Sequence, residues 1–98
     1  MDVDFTTIHP QLISLCERYG IAELAVFGSV ARGDAREESD IDLLYVLKPG
    51  TEIGLEFFGF QEELEDLLGR KVDVVSKEGL HWIIRDQVLS DARVLYAA

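Results

Sequence analysis

The run Ile41-Asp42-Leu43-Leu44-Tyr45-Val46-Leu47 constrains this chain most, because after an acidic start it is apolar on both faces. Successive side chains of a strand point to opposite sides, so such a run must be covered twice. A chain of 98 residues has room for one compact domain, spanning residues 1–98. The cover must therefore come from helices packed on a sheet, or from a helix layer plus another element. A domain of this size buries roughly 60–65% of the surface its unfolded chain exposes, so a partner or second copy would be a useful supplement.

The flanking patterns supply that cover. Thr6 to Tyr19 has Ile8, Leu12, Leu15, Cys16 and Tyr19 on one helical stripe. Thr6 or Thr7 can cap its start, Pro10 is tolerated in the first turn, and Gly20 ends it. Glu23 to Phe27 reads as a short buried strand running into Gly28-Ser29, and Val30 to Glu38 as a turn or short helix followed by a charged loop. Lys48-Pro49-Gly50 ends the strongest strand, and Thr51 to Leu68 follows as a helix with Ile53, Phe57, Phe60, Leu64, Leu67 and Leu68 at helical spacing. Gly54 and Gly59 weaken that helix and Gly69 stops it. Lys71 to Val75 is a third strand, and from Gly79 onward Leu80, Ile83, Ile84, Val88 and Leu89 form the apolar side of a helix. Arg93 to Tyr96 fits either a last helical turn or a short edge strand. The order helix, strand, strand, helix, strand, helix describes a small α/β domain.

Nearly half the residues (48%) are hydrophobic and 29% are charged, a globular composition rather than a disordered one. No apolar run approaches the roughly 20 residues needed to span a bilayer. The N-terminus is acidic where a secretory signal is basic and then apolar, and the single Cys16 has no partner for an internal disulfide. A cytoplasmic location and no membrane association are the expectations. The formal charge of −10 disfavours direct binding to nucleic acid. It fits plain solubility, a concentrated metal-binding cluster, or a basic protein partner.

Asp40 and Asp42 draw attention by position rather than by spacing, since Asp2 and Asp4 or Glu63 and Glu65 repeat the spacing. They stand at the start of the most hydrophobic strand, where residues two apart share a face. Two carboxylates held together repel each other, and a divalent cation resolves this; hard Mg²⁺ prefers such oxygen ligands together with substrate phosphates. Asp73 interrupts Val72 and Val74, and either converges on that pair from a neighbouring strand or faces water at an edge. Gly28 permits close backbone approach at a strand end, and the Ser29 hydroxyl with the N–H groups beyond it can hold phosphate oxygens. The Gly-Lys-Ser/Thr of a P-loop is missing. Arg32 either meets phosphate or pairs with a carboxylate such as Asp34, while Ser39 caps or orients the loop before Asp40. His9 and His81 read as surface or helix-end residues, and Trp82 and Tyr45 as core or partner contacts.

Taken together, Gly28-Ser29-Val30-Ala31-Arg32-Gly33 and Ser39-Asp40-Ile41-Asp42, with Asp73 in Val-Asp-Val-Val, resemble the nucleotidyltransferase superfamily that includes DNA polymerase β. The pattern G-S-x-x-R-G, a short loop, then S-D-x-D-hydrophobic is filled at every position. Within it the chain is most similar to the minimal nucleotidyltransferases, or MNT proteins, along nearly its whole length. The resemblance implies the small nucleotidyltransferase fold, a short mixed β-sheet with helices packed against it. It also implies catalysis through two Mg²⁺ ions held by Asp40, Asp42 and Asp73, with ATP as substrate and Gly28, Ser29, Arg32 and Ser39 around the nucleotide.

Minimal nucleotidyltransferases accompany HEPN-domain proteins, often ribonuclease toxins. The resemblance therefore implies an antitoxin that transfers AMP to a tyrosine of a HEPN toxin partner; a homodimer and a hetero-oligomer with the toxin are both open. Two other readings stand beside it. One is an antitoxin that only masks its partner sterically; the other is a nucleotidyltransferase acting on a small molecule such as an aminoglycoside.

Overall fold

A computed structural model describes residues 5–36 and 39–98. The acidic Met1–Asp4 and Glu37 and Glu38 lie outside the described residues. The elements are α1 (His9–Arg18), β1 (Ile21–Phe27), α2 (Gly28–Arg32), β2 (Ile41–Leu47), α3 (Glu56–Leu68), β3 (Val72–Ser76), α4 (Trp82–Asp91) and β4 (Arg93–Ala97). The strands form one mixed sheet of four in the order β3-β2-β1-β4. β1 runs antiparallel to both its neighbours, whereas β2 and β3 are parallel. A parallel pair needs a crossover connection, and α3 is that connection.

Strand parity divides the residues between two faces. Leu24, Val26, Ile41, Leu43 and Val72 meet Leu12, Leu15 and Cys16 of α1 and Phe60 and Leu64 of α3 in the main core. Ala25 and Leu44 are also buried, but on the opposite face and outside that cluster. There α4 packs against β1 and α2. On that second face β2 itself is met by α2, and of its residues there only Leu44 is buried. By the same parity, Asp42 and Asp73 project on the α4 side, away from the main core.

Several boundaries differ from the expectations. α1 starts at His9 with Ile8, not Thr6 or Thr7, at the N-cap position, and Pro10 does occupy the first turn. α3 begins at Glu56, not Thr51, which leaves Gly54 outside it. Gly59 stays inside α3 for a packing reason: a Cβ there would meet the Tyr19 hydroxyl at 2.9 Å. α4 buries none of its residues, with Trp82 78% and Ile83 67% exposed. Trp82, Ile83 and Ile84 are consecutive, about 100° apart around the axis, so one face cannot bury all three. His81 is its N-cap, with Nδ1 accepting from the Ile83 N–H at 3.2 Å.

The ambiguous chain end is a strand. Ala92 leaves α4 in extended conformation, and Arg93–Ala97 pairs with β1. No described helix is long and apolar enough to cross a membrane.

Candidate active site

β1 ends at Phe27, directly opposite Asp42 on β2. The next residue, Gly28, has φ +72°, and a Cβ there would collide with the Asp42 carboxylate. Glycine is therefore required twice, by the left-handed backbone and by the neighbour filling the space. α2 turns away at once and closes at Gly33, with the Asp34 N–H donating to the Ser29 carbonyl at 3.0 Å. Ser29 is half-buried in this turn.

Asp42 and Asp73 are partners across the parallel β2–β3 pair, so their side chains leave the same face side by side. Asp40, exposed just before β2, shares that parity two residues upstream. Asp42 feels the charge of the other two. Burial pushes the half-buried Asp42 carboxyl above the usual range, the charges of Asp73 and then Asp40 push it further, and Arg32 opposes them. Asp73 itself is exposed, so it faces solvent and Asp42 at once. Among the described residues, no three acid, His or Cys side chains are drawn together as a ready metal cage. Convergence is present in backbone register and charge, without a closed three-ligand cage among the described residues. The donor set is all carboxylate oxygen, and a divalent cation would relieve the repulsion that raises Asp42, so these residues fit Mg²⁺.

Around the acids lies a set of braces. Arg32 bonds to Asp34 at 3.3 Å and to Asp91 on α4 at 2.8 Å, tying α2 to α4 behind the glycine turn. Ser39 folds the loop on itself: its Oγ accepts from the Arg36 N–H at 2.9 Å, and its own N–H donates to the Arg36 carbonyl at 3.0 Å. Arg70 Nη2 donates to the carbonyls of both Arg36 and Ser39. On the outer edge of β3, Glu65 accepts from the Val72 N–H at 3.0 Å and Gln61 donates to the Val72 carbonyl at 3.1 Å. Two side chains one helical turn apart on α3 thereby close an open strand edge beside Asp73.

Arg70, Gln61, Glu65 and Asp91 are not visible as site residues in the sequence. The one available signal was the placement of Arg70 between the helix stop Gly69 and the strand carrying Asp73.

The nucleotidyltransferase domain family matches residues 2–95, and the chain belongs to that family. Its kinship narrows to the minimal nucleotidyltransferases. It is 43% identical over 77 residues to the protein adenylyltransferase MntA of Thermococcus cleftensis, covering 79% of this chain and 77% of that one. A solved structure described as a minimal nucleotidyltransferase shares 44% identity, covers 95% of each chain and superposes with a TM-score of 0.78. A chain in the solved complex of the tri-AMPylated Shewanella oneidensis HEPN toxin with MNT antitoxin is more distant, at 18% identity. It superposes with a TM-score of 0.68 over 97% of this chain and 74% of that one, a likeness of fold.

Proposed function

We propose that this nucleotidyltransferase moves AMP from ATP to a hydroxyl of a partner protein, a tyrosine of a HEPN toxin, and so acts as its antitoxin. The observation that carries the reading is the register of Asp42 with Asp73, beside Asp40 and against Gly28. The relative MntA is named a protein adenylyltransferase, and the distant MNT antitoxin was solved with a tri-AMPylated HEPN toxin, which supports the acceptor class. A net charge of −10 suits a basic partner.

Asp40, Asp42 and Asp73 would hold Mg²⁺, which when bound supplies positive charge against the triphosphate and the charge developing at phosphorus. Gly28 lets the backbone approach the phosphates, and the Ser29 hydroxyl and neighbouring N–H groups orient them. The exposed Asp73 carboxylate is assigned the proton of the acceptor hydroxyl. The acceptor oxygen bonds to the α-phosphorus, the bond from that phosphorus to the bridging oxygen breaks, and pyrophosphate leaves. Arg32 acts from behind, holding the turn through Asp91 while its charge faces Asp42.

The test is intact mass of the partner after incubation with this protein, Mg²⁺ and ATP. Addition of AMP is expected, and Asp42→Asn abolishes it. The exposed Trp82 and Ile83 on α4 favour one rival, an antitoxin that masks its partner by contact alone. Neutralisation that survives Asp42→Asn, with no adduct on the partner, decides for the rival.

A further inference from the structure

Arg70 lies between Gly69, which ends α3, and Val72, which begins β3. Its Nη2 reaches 31 residues back to the Ser39 carbonyl and also meets the Arg36 carbonyl at 2.9 Å. Those two carbonyls belong to residues that also bond to each other, through the Arg36 N–H to Ser39 Oγ and the Ser39 N–H to the Arg36 carbonyl. The Ser39 carbonyl belongs to the planar peptide whose nitrogen is that of Asp40, so orienting the oxygen orients the Asp40 backbone. A neighbouring bond, from the Ile41 N–H to the Lys71 carbonyl at 2.9 Å, joins the same two segments. Arg70 Nε and Nη1 are buried, with no hydrogen-bond partner among the described residues. A half-buried guanidinium with two buried, unpartnered nitrogens is a demanding arrangement to retain for packing alone.

From this geometry we infer that Arg70 is a positioning residue that presets Asp40 for the divalent cation, an inference that rests on the metal-site reading above. Nη2 alone serves both carbonyls, its N–H bonds held in the plane of the guanidinium, whereas a lysine ammonium is a strongly hydrated point charge on a flexible stem. Groups that orient metal ligands without touching the metal typically change affinity by 10–100-fold when removed.

The experiment titrates Mn²⁺, standing in for Mg²⁺, into nucleotide-free wild type, Arg70→Lys, Arg70→Met and Asp42→Asn, following binding by electron paramagnetic resonance. Circular dichroism checks that each variant is folded. Arg70→Met is expected to weaken Mn²⁺ about tenfold, with Arg70→Lys between it and wild type. AMP transfer should then need more Mg²⁺ for half-maximal rate but recover at saturating Mg²⁺, which a merely structural role would not produce. Folded Arg70→Met with wild-type Mn²⁺ affinity overturns the inference while Asp42→Asn still binds weakly. Equal binding by wild type and Asp42→Asn instead overturns the metal site itself. Should Arg70→Met not fold, Arg70→Lys decides: weakened Mn²⁺ binding supports the role, and wild-type affinity overturns it.

Discussion

The Asp42 carboxylate rests against the Cα of Gly28, in the space that any side chain at position 28 would fill. A carboxylate that the metal-site reading gives to a cation is thus placed by a residue that has no side chain. The contact joins the two short motifs of the sequence, one ending β1 and the other opening β2, into a single structure.

Gly28→Ala should therefore fail on two counts. The left-handed φ and the collision with Asp42 together should cost about 1–3 kcal/mol of stability, read from urea unfolding. Displacing Asp42 should lower AMP transfer about 100-fold or more. A variant with wild-type turnover would show that Asp42 does not need this placement.

Asp42→Asn should separate stability from activity. Burial and the charges of Asp73 and Asp40 raise the Asp42 pKa in the folded state. A raised folded pKa means stability that is full below the unfolded value, about 3.9, and lost as pH rises through the folded value. At neutral pH, metal-free Asp42→Asn should accordingly melt higher than wild type while transfer falls about 100-fold or more. A lower melting temperature for the metal-free variant would contradict the assigned repulsion.

Glu63 links α3 to α1 with the opposite sign. The Tyr19 hydroxyl at 2.7 Å, and then Arg18 at 2.9 Å, hold its carboxyl below the usual range. Its contribution is present above the unfolded value, about 4.3, and lost as pH falls through the lower folded one. Wild type should lose more melting temperature on acidification across that window than Glu63→Gln does. Parallel curves for the two proteins would remove Glu63 from the acid response.

Cys16 is fully buried in the core, and burial, aided by Glu17, pushes its thiol up to about 12. The reactive thiolate is therefore scarce at neutral pH. A maleimide should leave the native protein unlabelled for as long as it stays folded, and label it stoichiometrically in urea. Prompt labelling without denaturant would show that α1 opens away from the sheet.

What could be read from the sequence was local chemistry. Gly28 at a strand end and Asp40 and Asp42 before an apolar run carry their meaning within a few residues. Arg93–Tyr96 did not, because a short apolar stretch satisfies either period; pairing with β1, some 70 positions earlier, makes it a strand. Thr51 was drawn into a helix by Ile53 at the spacing of Phe57, although the backbone becomes helical only beyond Gly54. The braces were hidden because their partners are distant backbone: Arg70 serves Ser39 across 31 positions, and Arg32 reaches Asp91 across 59. Nor does residue type betray Gln61 and Glu65, polar residues on a helix whose polar face is normally exposed.

The parallel β2–β3 pair has a consequence for the order in which the molecule matures. The glycine turn and the first two acids lie on or beside the antiparallel β1–β2 pair, whose strands are joined by a short connection carrying α2. Asp73 joins them only after the chain between has folded as α3 and docked, a closure of much longer range. On the proposed metal-site reading, a nascent or partly opened molecule holds two acids and no third, so AMP transfer waits on the docking of α3 and β3.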